Sequence, residues 1–248
     1  MRIMNFVRAL LAVATMLVGA TSVHAQAVPG QGTWETTLLG RDINLNAVAA
    51  TSTSAVYLYD TTLNVTWLRN ANVSAGNGNG GLMDWATANN WADTLVTGSG
   101  ATAISTWRLP TVNFAGCIAS NCGWNAATSS SEMASLFFST LGNRSEFDIN
   151  GNSQAGFGLT NVGSFQNLQS YVYWSGTEQA FDANSAWLFS FNIGFQTADP
   201  KSWQLNAMAV HSGDVGSPVS PVPEPETYAM LLAGLGLIGV IGRRRRRT

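Results

Sequence analysis

Apolar side chains recur along this chain at two periods. Between 187 and 195, Trp187, Phe189, Phe191, Ile193 and Phe195 alternate with Leu188, Ser190, Asn192 and Gly194. That period of two predicts one half-buried strand. Runs at 56–60 and 65–69 flank Thr61-Thr62-Leu63-Asn64 and predict a hairpin, and 206–211 predicts a last strand. Residues 26–54 are polar and weakly patterned, with an edge strand expected near 34–39. Helical spacing comes next. Leu82, Trp85, Ala88, Ala92 and Leu95 form one apolar stripe over 82–96, after the loop Gly76-Asn77-Gly78-Asn79-Gly80-Gly81. A second helix is predicted over 132–141. Met133, Leu136, Phe137 and Leu141 form its buried face and Gly142 its terminator, with Ser129 and Glu132 as a capping box. Two helices among several strands, without βαβ alternation, indicate one α+β domain over 55–215 with a mainly antiparallel sheet. Residues 26–54 precede it as an N-terminal extension.

The two ends follow a different logic. Residues 1–25 read as a signal peptide. Arg2 and Arg8 lead a short apolar run, and Val23-His24-Ala25 is an A-x-A-like site for cleavage after Ala25 by signal peptidase. At the other end, 216–222 is a Pro/Ser linker, followed by Pro223-Glu224-Pro225 and 15 apolar residues at 228–242. Arg243, Arg244, Arg245, Arg246 and Arg247 close the segment as a membrane stop. As a helix the apolar segment is about 22 Å long at ~1.5 Å per residue, short for a span unless the arginines snorkel. The same arginines orient the chain with the body outside. Gly234-Leu235-Gly236-Leu237-Ile238-Gly239 spells G-x-G-x-x-G, but inside this segment it lacks the strand and βα unit of a dinucleotide site.

The order Pro-Glu-Pro, short apolar helix and basic tail over 223–248 resembles the PEP-CTERM sorting signal of Gram-negative bacteria. That resemblance implies recognition by the membrane transpeptidase exosortase. It also implies a transient membrane anchor and delivery of the body to the cell surface or extracellular matrix of an exopolysaccharide-producing cell.

Composition narrows the function classes. The chain has 248 residues, 46% hydrophobic and only 10% charged, against roughly 25% charged in an average soluble domain. Between the two ends, five basic residues (Arg41, Arg69, Arg108, Arg144 and Lys201) face twelve acidic ones. An acidic body with scattered cations argues against nucleic-acid binding, whose affinity comes from clustered Lys and Arg. With His24 in the leader, His211 is the one histidine of the body.

Several segments of the body resemble, in order, the bacterial Lcl C-terminal domain family. They are Thr66-Trp67-Leu68-Arg69-Asn70-Ala71-Asn72, Gly81-Leu82-Met83-Asp84-Trp85, Trp107-Arg108-Leu109-Pro110-Thr111, Ser131-Glu132-Met133, Tyr173-Trp174-Ser175-Gly176-Thr177-Glu178, Ala186-Trp187 and Ala209-Val210-His211-Ser212-Gly213-Asp214. The resemblance covers about 55–215. It implies a C-type-lectin-like fold, related to that of formylglycine-generating enzymes, and one branch of the family binds sulfated polysaccharides. Trp107 and Trp174 are expected in the core, with Arg108 and Glu178 as a candidate ion pair beside them. The chain departs from the family at His211, where Arg is frequent, and in an insertion over 112–130.

That insertion carries Cys117 and Cys122, the two cysteines of the chain, expected as a local disulfide in an exported protein. Asp148, Asn150 and Asn152 begin like a calcium loop, but Ser153 and Leu159 stand where an EF-hand needs Gly and Glu. Calcium is the cofactor to test; no other is expected. His211 and Asp214 lack the G-x-S-x-G elbow of a serine hydrolase, so catalysis is not expected. Trp124, Tyr171 and Trp203, beside Asn-rich loops, are candidate sugar contacts. The reading is an exported surface protein that binds extracellular polysaccharide. The alternatives are a formylglycine-enzyme-like modifying enzyme and a purely structural matrix protein.

Overall fold

The computed structural model describes residues 25–74, 79–112, 121–124 and 131–216. Where an edge strand was expected near 34–39, the chain makes a single helical turn, α1 (Trp34–Thr37), and then strand β1 (Leu38–Arg41). Strand β1 is an inner strand, flanked by the two-residue β2 (Ala47–Val48) and by β3 (Tyr57–Asp60). Residues of 26–54 thus contribute two strands to the main sheet. Trp34, 5% exposed, joins the core through them.

The expected hairpin is present. β3 pairs antiparallel with β4 (Val65–Leu68), with Leu58 opposite Trp67 and Asp60 opposite Val65. Helix α2 (Trp85–Thr94) is shorter than 82–96. Its N-cap is Asp84, whose carboxylate accepts from Thr87 N at 2.8 Å and so satisfies a free first-turn amide. The Leu82 end of the apolar stripe therefore precedes the helix. Strands β5 (Trp107–Arg108) and β6 (Asn121–Trp124) follow.

The second helix starts where expected but differs inside. α3 (Glu132–Ala134) is capped by Ser131, whose hydroxyl accepts from Ala134 N at 3.2 Å, and it widens into a π-helical segment over Ser135–Thr140. Ser129, the expected cap, lies outside the described residues, and Glu132 is not the reciprocal arm of a capping box. Its carboxylate turns to Arg108 and Thr111 N instead. Met133, Leu136, Phe137 and Leu141 are fully buried, as the periodicity predicted.

Four strands complete the fold: β7 (Val172–Glu178), β8 (Ser185–Ser190), β9 (Phe195–Pro200) and β10 (Val210–Ser212). The long strand predicted at 187–195 is a hairpin. β8 ends at Ser190, and the chain turns through Phe191-Asn192-Ile193-Gly194 into β9, with Ser190 paired to Phe195. Gly194 makes the turn possible. Its φ is +66°, and a Cβ there would sit 2.7 Å from Ser145 Cα and 2.8 Å from a Phe137 ring carbon.

The named strands form two antiparallel sheets, β2-β1-β3-β4-β10-β5 and β6-β9-β8-β7. The second sheet is buried on both faces, which is why Leu188 and Ser190 are as buried as Trp187 and Phe189. On one face Tyr173 and Phe189 meet Phe137 and Phe191, with Phe137 and Phe189 centroids 5.4 Å apart. On the other, Trp174 and Leu188 pack on Met83, Ala88, Ala92, Leu109 and Leu205. A third cluster stacks Tyr57 on Trp107 at 5.9 Å beside Leu68 and Ile104. The result is a mixed α+β domain with two short helices and antiparallel sheets, and Trp107 and Trp174 lie in its core as expected.

Among the described residues no helix is long and apolar enough to cross a membrane. The membrane helix expected at 228–242, the Pro223-Glu224-Pro225 motif, the arginine run and the leader up to residue 24 lie outside the described residues. So do Cys117 and the side chain of Cys122.

Candidate functional site

Two grooves flank Leu82, on the segment that leads into α2. The chain is fixed there by its neighbour across the gap: Met83 N donates to Leu205 O at 2.9 Å, and Leu205 N donates back at 3.0 Å. One groove, of about 390 Å³, is lined by Met83, Asp84, Thr87, Asn90, Trp91 and Gln204. The other, of about 360 Å³, is lined by Asn72, Gly80, Gln169, Ser170, Tyr171 and Asn206. Both walls mix carboxamides and hydroxyls with apolar side chains. Asp84 is the one ionised group in the first, held below the usual carboxylate range by the Thr87 amide it caps. A third hollow of about 360 Å³ beside β1 and β2 is more apolar, with Trp34, Leu38, Leu39 and Val48 in its lining.

The main chain of the second groove is locked. Asn206 N donates to Val172 O at 3.1 Å, and Asn206 O accepts from Trp174 N at 3.0 Å. Gln169 N donates to the Tyr173 hydroxyl at 2.8 Å, and burial raises that phenol's pKa. Two side chains there remain unmatched. Asn206 is 3% exposed, yet its carboxamide makes no hydrogen bond among the described residues. The Asn72 carboxamide oxygen is buried without a partner.

The three aromatic candidates from the sequence separate. Tyr171 is 45% exposed and lines the second groove. Trp203 is 48% exposed and stands next to Gln204 of the first. Trp124 packs against Phe195 at 4.5 Å and Phe147 at 4.9 Å, so its ring is engaged at the β6–β9 pair and lines neither groove. Beside the first groove, Trp85 donates its indole N–H to Ser175 O at 2.8 Å, and the Lys201 ammonium lies 4.3 Å from its ring centre.

The polar neighbours read from sequence find other partners. Arg108 does not meet Glu178. It pairs with Glu132, while Glu178 pairs with Lys201. Asp214 is held by Arg41, with Nη2 at 2.6 Å and Nε at 3.0 Å, and His211 Nδ1 has no hydrogen-bond partner among the described residues. A His211–Asp214 pair is therefore not formed. Arg69, 8% exposed, donates to the carbonyls of Ser52, Ala55 and Ser164 and so ties the 49–56 loop to the loop that carries Ser164.

The Asp148 loop is a self-contained turn. One carboxylate oxygen accepts from Asn150 N at 2.8 Å and Asn152 N at 2.9 Å, and the other accepts from Asn152 Nδ2 at 3.1 Å. These bonds, that of the Asn152 amide first, hold the carboxyl below its ordinary range. The same turn occurs a second time, and the sequence reading passed over it. Asp42 accepts from Asn44 N, Asn46 N and Asn46 Nδ2 at 2.9, 2.9 and 3.1 Å. The shared spelling, Asp-Ile-Asn-x-Asn at 42–46 and 148–152, was the available signal. Among the described residues, no three or more His, Cys, Asp or Glu side chains group as metal ligands.

Comparison with protein families matches residues 57–211 to the Lcl C-terminal domain and residues 221–247 to the PEP-CTERM protein-sorting motif. No curated protein and no solved structure matches the chain. The family region opens on the first residue of β3 and closes within β10, so it takes in the second sheet, both short helices and both grooves. The sorting motif marks an exported protein, processed by exosortase and sorted to the cell surface. The chain belongs to the Lcl C-terminal domain family and is a PEP-CTERM substrate of exosortase.

Proposed function

We propose that this protein is a non-catalytic polysaccharide-binding component of the cell surface or extracellular matrix. In this reading signal peptidase removes residues 1–25, and the 228–242 helix anchors the chain until exosortase acts. Residues 55–215 are then the binding domain, of C-type-lectin-like type, and 216–222 a spacer. The observation that carries the reading is the pair of grooves either side of Leu82. Their walls set carboxamides and hydroxyls beside apolar side chains, with Tyr171 half-exposed in one and the half-exposed Trp203 next in sequence to Gln204 of the other. Sugars present apolar C–H faces and hydroxyls that donate and accept, and such a surface matches both. Binding requires no ionised catalytic pair, and the carboxylates Glu132, Glu178 and Asp214 are each engaged in an ion pair.

The test is in the producing cell. Deleting exopolysaccharide synthesis should move the processed protein from the matrix to the medium, as read by immunoblot of the two fractions. Retention on cells that make no exopolysaccharide would contradict the proposal.

A further inference from the structure

We infer that the Tyr171 groove is a subsite for an uncharged, hydroxyl-rich glycan segment, and that it discriminates against polyanions; this rests on the polysaccharide-binding reading above. Three observations carry it. First, the groove has no carboxylate, ammonium or guanidinium in its walls, which are formed by Asn72, Gly80, Leu82, Gln169, Ser170, Tyr171 and Asn206. Second, part of its hydrogen-bonding capacity is unspent. A buried amide without a partner costs on the order of 1–3 kcal/mol, and such groups in a folded protein call for an explanation. The Asn72 carboxamide oxygen is one of them, and Asn206 lines the same groove with a carboxamide that makes no hydrogen bond among the described residues. The unmatched atom on Asn72 is an acceptor, so its complement is a donor. A sugar hydroxyl supplies a donor, whereas a sulfate or carboxylate oxygen only accepts. Third, the body carries twelve acidic residues against five basic ones, so the approach of a polyanion is opposed at long range.

A volume of about 360 Å³ is at the low end of the ~300–1,000 Å³ usual for small-ligand sites. It suits a short segment of chain laid against the half-exposed Tyr171 ring. The main-chain bonds that fix Asn206 to Val172 and Trp174 hold the subsite in place before ligand arrives, which limits the ordering cost of binding.

The experiment measures binding of the protein released by the producing cells to dextran and mannan, and to alginate and heparin. Wild type is compared with Tyr171→Ala, Asn206→Ala and Phe181→Ala. Thermal melts establish that each variant is folded, and Tyr171→Ala, at an exposed position, stays informative if Asn206→Ala is not. Tighter binding to a neutral polymer, weakened at least tenfold by Tyr171→Ala and less than twofold by Phe181→Ala, at an exposed aromatic outside the grooves, is the expected result. Neutral-polymer binding that survives Tyr171→Ala undiminished would overturn the subsite and leave the polysaccharide-binding reading standing. Preference for alginate or heparin would overturn the selectivity. Failure to bind any of the four, or the cell's own exopolysaccharide, would remove the subsite and the reading together.

Discussion

Arg108 and Glu132 meet in a two-pronged ion pair, Nη1 to Oε2 at 2.8 Å and Nη2 to Oε1 at 2.7 Å. The same Oε2 accepts from Thr111 N at 2.7 Å, and Glu132 N donates to Thr111 O at 3.2 Å. With the Val112–Ser131 bridge, these bonds close a neck. They join the two ends of the cysteine-bearing insertion, whose Asn121–Trp124 pairs with β9 in the second sheet, so two family segments separated by that insertion form one structural joint.

The joint should dominate its exposed counterpart. Glu132→Ala strands the Arg108 guanidinium and the Thr111 amide together, and is expected to cost about 2–3 kcal/mol. Glu178→Ala breaks a pair whose carboxylate side chain is 50% exposed, and should cost less than about 0.5 kcal/mol. Urea unfolding of the two variants gives the comparison.

The β8–β9 turn gives a second contrast. At Gly194 an added methyl meets backbone and ring atoms below 3 Å, and φ is +66°. Gly194→Ala should cost about 3 kcal/mol or more, from left-handed backbone strain and overpacking combined. Gly151 has a similar φ of +81° but open space around it, so Gly151→Ala should cost only about 1–2 kcal/mol. Melting temperatures would rank the two.

Acid should act on different carboxylates with opposite signs. Asp148 is held low by its own turn. Its contribution is present above the ordinary carboxylate range and is lost as pH falls through the lowered folded value. Asp60 is fully buried and its pKa is raised, with desolvation outweighing the Leu63, Thr62 and Thr140 bonds. Its ionised form is penalised at neutral pH, and the penalty disappears as pH falls through the raised value. The melting temperature of Asp60→Asn relative to wild type should therefore rise from pH 3 to pH 7. That of Asp148→Asn should fall over the interval in which wild-type Asp148 ionises. Parallel pH profiles for the two variants would contradict this assignment.

The sorting motif should govern release. Replacing Pro223, Glu224 and Pro225 with alanine is expected to leave the chain unprocessed in the membrane fraction, detectable as a larger species by immunoblot. Normal release of that variant would count against recognition of the motif.

What was legible in the sequence was local. The 61–64 turn between two β-rich runs gave the β3–β4 hairpin, and the spacing of Met133, Leu136, Phe137 and Leu141 gave a buried helical face. The alternation from Trp187 to Phe195 misled, because a tight turn can preserve the parity of apolar residues on either side of it. Gly194, with Asn192 before it, was the turn chemistry outweighed by the pattern. Partners were the least readable feature. Arg108 has carboxylates both near and far in sequence, and only the fold brings Glu132 rather than Glu178 to it. The grooves were half legible. Tyr171 stood out as an aromatic beside Asn-rich loops, but Asn72 and Asn206 lie 134 positions apart and share a wall only through the pairing of Met83 with Leu205 and of Asn206 with Val172 and Trp174.

The central claim is that the exported domain holds polysaccharide. Its most direct test is a titration of the released protein with the producing cell's own exopolysaccharide, by calorimetry, with calcium and with a chelator. The account expects saturable binding that weakens at least tenfold in Tyr171→Ala. No heat of binding and no retardation by the polymer, with calcium or without, would contradict it.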